Sequence, residues 1–194
     1  MSTFEIIYHV SIGLGLSAAC GFRVFLPPFI MSIAALNGQL ELTGTFEHLA
    51  TYPAAVILGV ATVAEIGAYY VPWIDNLLDS IASPAAVTAG VLVSAASLGG
   101  FDPTVQWTLA AIAGGGGAAM IQAGTVAARA LSSVTTGGLG NSAVSTGEGA
   151  AATGMSLMAI FLPIIALALG AAAIFFAVRY IRRHRAQRDE PEPA

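Results

Sequence analysis

From Pro53 to Val71 the chain carries one charged side chain, Glu65, in a stretch long enough to cross a bilayer. Crossing takes about 20 apolar residues. Inside hydrocarbon every backbone N–H and C=O must find its partner within the protein, which a helix provides unaided. Four more apolar runs accompany this one: Ile6–Leu36, Pro84–Leu98, Thr104–Leu131 and Ala150–Val178. Together they predict an all-α, polytopic transmembrane bundle of about five spans. Only 9% of the residues are charged and 56% are hydrophobic, against about 25% charged in a soluble globular domain. That composition leaves too little polar surface for a water-facing body.

Breaks within the runs are legible as well. Gly21, Arg23 and Pro27-Pro28 interrupt the first run, which is longer than one crossing requires, and proline removes a donor and clashes with the preceding turn, so this span kinks or splits. If it doubles back, the count becomes six and the N-terminus changes sides. Ser83-Pro84 and Asp102-Pro103 both read as an N-cap followed by proline at the first helical position. Pro72–Ile81 puts Trp73, Ile74, Leu77, Leu78 and Ile81 on one helical face and Asp75, Asn76, Asp79 and Ser80 on the other, the pattern of an interfacial amphipathic helix. Residues 1–183 form the membrane domain, and 184–194 a disordered tail.

Charge distribution orients the chain. Formal net charge is −4, there is no lysine, and five of the seven arginines lie between Arg179 and Arg188. A basic stop after the last span points to a cytoplasmic C-terminus; five spans then leave the N-terminus outside. A multi-pass protein of the bacterial inner membrane, with lipid as its main partner, is the expected setting. Nucleic-acid binding would need a basic face on a folded domain and is not expected.

Enzyme motifs are missing. His9, His48 and His184 sit at span ends, and no metalloprotease, paired-cysteine, phosphate-loop or dinucleotide pattern occurs. Gly15-Leu-Ser17 has some likeness to an intramembrane serine protease, but no later span supplies a histidine base. The single cysteine, Cys20, excludes an internal disulfide and a cysteine metal cage and reads as a small packing residue. No cofactor and no enzymatic activity are expected.

The embedded charges carry the functional expectation. An ionised carboxylate at the centre of a span costs about 2.5–3.5 kcal/mol on insertion scales, so Glu65 needs a partner, a cation or water. Two readings stand: a structural pair with Arg23 or Arg129, or an ion- or proton-carrying group. Asp75 and Asp79, one helical turn apart with Asn76 between them, offer oxygen ligands to a small hard cation, or simply serve the start of a helix opened by Pro72. Glu148 closes Ser145-Thr-Gly-Glu148, a capping box with Ser145 at N-cap, and also stands as a residue of an ion or substrate path. Spans one and four each embed one arginine (Arg23, Arg129) and spans two and five each bring one glutamate (Glu65, Glu148), so segments 6–82 and 104–178 suggest a weak inverted repeat, although the spacings around Arg23 and Arg129 do not align. The Gly13/Ser17/Gly21 and Ala110/Gly114/Ala118 faces allow close helix approach, within the fold or in a homodimer. The connection from Ser132 to Asn141 is a loop or a partly re-entrant stretch.

Gly13-Leu-Gly-Leu-Ser-Ala-Ala-Cys-Gly-Phe-Arg23-Val-Phe-Leu-Pro27, then Glu65 with Pro72-x-x-Asp75-x-x-x-Asp79, then Thr135-Thr-Gly-Gly-Leu-Gly-Asn141 with Glu148, together resemble DUF4126, a family of bacterial membrane proteins of unknown function. The resemblance covers Ile6 to Arg183. It implies an integral membrane protein and supplies no activity. Members often carry an Asp-Lys pair just before the proline; Tyr69-Tyr70 stands near that position here, so any role of that pair does not transfer. The residues themselves point to a channel or transporter for a small ion or solute, or alternatively to a scaffold or lipid-interacting protein whose charges only pair.

Overall fold

A computed structural model describes residues 2–169 together with Ala172 and Arg179; the side chains of residues 72–77 and 79 lie outside the described set. All regular structure among the described residues is helical: α1 (Thr3–Cys20), α2 (Leu26–Leu36), a 3-10 turn (Gly44–Leu49), α3 (Tyr52–Ala68), α4 (Pro72–Ser97), α5 (Pro103–Leu109), a π-helical segment (Ala110–Gly115), α6 (Gly116–Thr136) and α7 (Asn141–Phe161). Among the described residues three stretches are long and apolar enough to cross a membrane: Thr3–Cys20, Ser80–Ser97 and the continuous Pro103–Thr136; α2 and α3 are shorter apolar helices.

The first apolar run splits, as its prolines and glycine predict. α1 opens on a capping box in which Ser2 Oγ accepts from Glu5 N at 3.2 Å and Ser2 N donates to Glu5 Oε2 at 2.6 Å. It ends at Cys20, and α2 begins at Leu26 with proline in its first turn. Asp102 caps α5 as expected, its Oδ1 accepting from Thr104 N and Val105 N at 2.9 and 3.4 Å. The last run breaks at Leu162, whose φ of −136° and ψ of 52° end α7 before a further helical stretch over 163–169. A residue ahead of proline is pushed out of the helical region, and Pro163 does this to Leu162.

Two expectations are corrected. Pro84 starts no helix: α4 runs through it without interruption, so the amphipathic segment and the third span are one helix, and the carbonyl of Ser80 loses only its ordinary partner. The stretch from Ser132 is not a loop. α6 continues to Thr136 and turns through Gly137 and Gly138, both at positive φ, where glycine pays no Cβ penalty.

The small-residue faces are consumed inside the chain. Ser17 Oγ donates to the Gly114 carbonyl, and a Cβ on Gly114 would lie 2.6 Å from Ser94 Cβ and 2.9 Å from the Gly90 carbonyl. α1, α4 and the π segment therefore meet at backbone distance. They do not present these faces to a second copy.

α1 is the central helix, packed mainly on α4 and α7, while α2 packs on α3 and α7. Ile12, Leu16, Cys20, Met31, Val93 and Ile160 form the core. By contrast α3 presents Tyr52, Val56, Ile57, Val60 and Val63 outward, a surface suited to acyl chains. The basic run and the tail 184–194, apart from Arg179, lie outside the described residues.

Candidate functional site

Four charged side chains are buried where α1 hands over to α2. Arg23 occupies the break, Glu65 comes from α3, Arg129 from α6 and Glu148 from α7, with exposures of 1%, 5%, 3% and 5%. Two guanidiniums and two carboxylates make the group formally neutral. Opposite charges offset the cost of leaving water only where their geometry is good and their remaining donors and acceptors are satisfied.

Each side chain has a distinct task. Glu65 is held by two backbone amides. Its Oε1 accepts from Val24 N at 2.7 Å and its Oε2 from Phe25 N at 3.0 Å. Phe25 is the N-cap of α2, and the prolines at 27 and 28 have no N–H of their own, so Glu65 takes the donors left open at the start of that helix. A carboxylate there also meets the positive end of the α2 dipole.

Glu148 is gripped by Arg129: Nε donates to Oε1 at 3.0 Å and Nη2 to Oε2, a two-point pair of the strong kind. The capping-box reading of Glu148 is thereby corrected. α7 already begins at Asn141, so Ser145 and Glu148 stand within the helix, three residues apart on one face. Arg23 Nη2 donates to Ser145 Oγ at 2.5 Å and to the Ser145 carbonyl at 2.7 Å, and lies 3.7 Å from Glu148 Oε2. Arg23 Nε and Nη1 make no hydrogen bond. A buried donor left unsatisfied costs about 1–3 kcal/mol, more when charged.

Tyr69 was not legible as a site residue. Tyr69, 5% exposed, lies against both guanidiniums, with Arg23 Cζ at 4.1 Å and Arg129 Cζ at 4.0 Å from the ring centroid. Cation–π contact of this kind strengthens as water is removed. The available signal was its spacing: Tyr69 follows Glu65 by one helical turn and so shares its face. Next to the cluster, Tyr70 Oη and Thr146 Oγ1 meet at 2.8 Å, tying α3 to α7.

A cavity of about 390 Å³ opens between α6 and α7, lined by Phe22, Ile121, Thr125, Val144, Gly147 and Glu148 among others. A second, larger groove of about 750 Å³ runs between α2 and α3 and is apolar apart from Asn37 and Tyr52 at its rim.

Of the residues expected to share an ion or substrate path, the structure unites Arg23, Glu65, Arg129 and Glu148. The side chains of Asp75, Asn76 and Asp79 lie outside the described residues, as does Trp73; only their backbone, in the first turns of α4, is described. Among the described residues no three His, Cys, Asp or Glu side chains gather as a metal site.

A family model described as a domain of unknown function, DUF4126, matches residues 10–183. No curated protein and no solved structure matches the chain.

Proposed function

The chain belongs to the DUF4126 family, whose description carries no activity, and from that premise we propose that it transports a small solute across a bacterial inner membrane, with its C-terminus in the cytoplasm. One observation carries this reading: the four buried charges converge on a break between two membrane helices. Irregular backbone at membrane depth is tolerated where protein buries it or where it lines a cavity, and transporters build their sites at such interruptions, with half-helix ends and charged groups around the cargo. Here the break at 21–25 is closed by residues from α3 and α7. A relative movement of those helices would rearrange every contact of Arg23 at once.

The scaffold reading has its own support. Arg129 and Glu148 satisfy each other and Glu65 is satisfied by backbone, so most of the charge is accounted for internally. Uptake by proteoliposomes separates the two. The full chain is loaded with a panel of protons, inorganic ions, organic acids, amines and neutral solutes, and Arg23→Lys is the paired variant. We expect flux of at least one class and its loss in Arg23→Lys. No flux across the panel leaves the scaffold.

A further inference from the structure

We infer that the groove between α2 and α3 holds one acyl chain of an amine-headed phospholipid, with its ammonium group set against the carboxylates of the α2–α3 connection. The inference rests on the membrane setting and is independent of the transport reading.

The groove has the length and lining of an acyl-chain site. Phe29, Ile33 and Leu36 form one wall, and Val56, Val60 and Val63 the other. Its volume is about 750 Å³, within the range of a small-molecule site. Along α3 it runs from Tyr52 to Ala64, about 18 Å at 1.5 Å per residue. A bilayer's hydrocarbon core is about 30 Å thick, so this is the depth of one leaflet. The three valines are exposed, and the groove opens on the outward side of α3. A Cβ on Gly59 would meet the Phe29 ring at 3.1 Å. The two helices therefore touch along the floor, and a chain lies on them without passing between them.

Polarity enters at one end. Asn37, the C-cap of α2, and Tyr52, the first residue of α3, are the polar side chains of the lining. Exposed aromatic residues mark that end as the membrane–water boundary. They are Tyr52 itself and Trp107, whose ring lies 6.1 Å from that of Phe46 in the connection. A molecule with one long apolar arm and one polar head matches this order.

Charge selects the head. The connection from Asn37 to Thr51 carries Glu41 and Glu47, both exposed, with His48 as its only basic side chain. Glu47 Oε1 accepts from Gly44 N at 3.0 Å, which holds that carboxylate on the turn. Asp102, also exposed, belongs to the α4–α5 connection, brought alongside where Gly99 meets Thr43 and Trp107 meets Phe46. A purely anionic head is repelled by this rim. A primary ammonium brings several N–H donors and a positive charge to it.

The inner end of the groove stops at Ala64, beside Glu65. An occupied groove thus braces the helix that brings Glu65 to the amides of Val24 and Phe25.

The test is photolabelling of the full chain in phosphatidylcholine nanodiscs containing a trace of phosphatidylethanolamine with a diazirine on its acyl chain. Adducts mapped by peptide mass spectrometry should concentrate on residues 29–37 and 52–64. Val60→Trp and, separately, Val63→Trp fill the groove and should remove them. Ile57→Trp, exposed on the same helix but outside the lining, should keep them. All three should unfold in detergent at the wild-type temperature. Unlabelled phosphatidylethanolamine should displace the label about fivefold better than phosphatidylglycerol or N-acetylated phosphatidylethanolamine, the size of one exposed ion pair. Glu41→Gln with Glu47→Gln should erase that preference. Adducts spread evenly over the outer helices, adducts that survive both filling variants, or equal displacement by phosphatidylglycerol would overturn the inference. So would a chain that is dimeric in the discs with α3 shielded from the label, because that face then seats a second copy.

Discussion

Glu148 shows what a single side chain can be asked to do when three helices lean on it. Glu148→Gln keeps its shape and removes the charge, leaving Arg129 buried opposite an amide. Breaking a buried pair from one side costs about 3–5 kcal/mol, so a large fall in the thermal midpoint is expected. The double change Arg129→Met with Glu148→Leu removes both charges and should recover most of that loss. If Glu148→Gln unfolds at the wild-type temperature, the pair contributes nothing to folding. Tyr69→Leu removes both cation–π contacts, each worth about 0.5–2 kcal/mol, and should lower the thermal midpoint. At this scale the sequence named Arg23, Glu65, Arg129 and Glu148 because a charge in an apolar run stands out. It could not show how they are held: Glu65 accepts from the Val24 and Phe25 amides, and backbone donors leave no trace in residue type.

Elements were legible wherever proline or a cap marked an end, as at Asp102 and at the 21–25 break. They were misread wherever the same residue has two uses. Pro84 looks like a helix start and lies inside α4; Ser145 looks like a cap and serves Arg23 from within α7. The π segment was not foreseen, because Gly114-Gly-Gly-Gly117 is equally consistent with close packing in an α-helix. It makes a sharp prediction. Gly114→Ala would drive a Cβ to within 2.6 Å of Ser94 Cβ and 2.9 Å of the Gly90 carbonyl, and overpacking of this kind costs about 1–3 kcal/mol. The fall should appear in thermal unfolding, and Ser94→Gly in the same chain should return part of it. Unchanged stability in Gly114→Ala would mean that α4 and the π segment can separate freely.

Seen whole, the described residues form a bundle wound around α1, with the buried charge gathered at one interior point and an outward apolar face on α3. The membrane character and the helical class were readable from apolar run length, because the bilayer imposes that length directly. Three-dimensional assembly was not, since the glycine faces fit an internal crossing and a dimer seam equally well. Orientation remains a statement about arginines. A fluorescent protein fused after Ala194 should fluoresce and an alkaline phosphatase fusion at the same point should be inactive, given cytoplasmic arginines. The opposite pair of results reverses the assignment of sides.

The break after α1 is stitched from far along the chain, by Glu65 from α3 and Ser145 from α7. During synthesis the amides of Val24 and Phe25 therefore emerge long before their carboxylate does. Arg23 waits longer still, until α7 has been made. The N-terminal helices must enter the bilayer with that corner hydrated or guarded by the insertion machinery, and the bundle can close over it only when its last helices arrive. Order of birth and order of completion run opposite ways in this protein, so a ribosome stalled before residue 145 holds a chain whose first corner is still open.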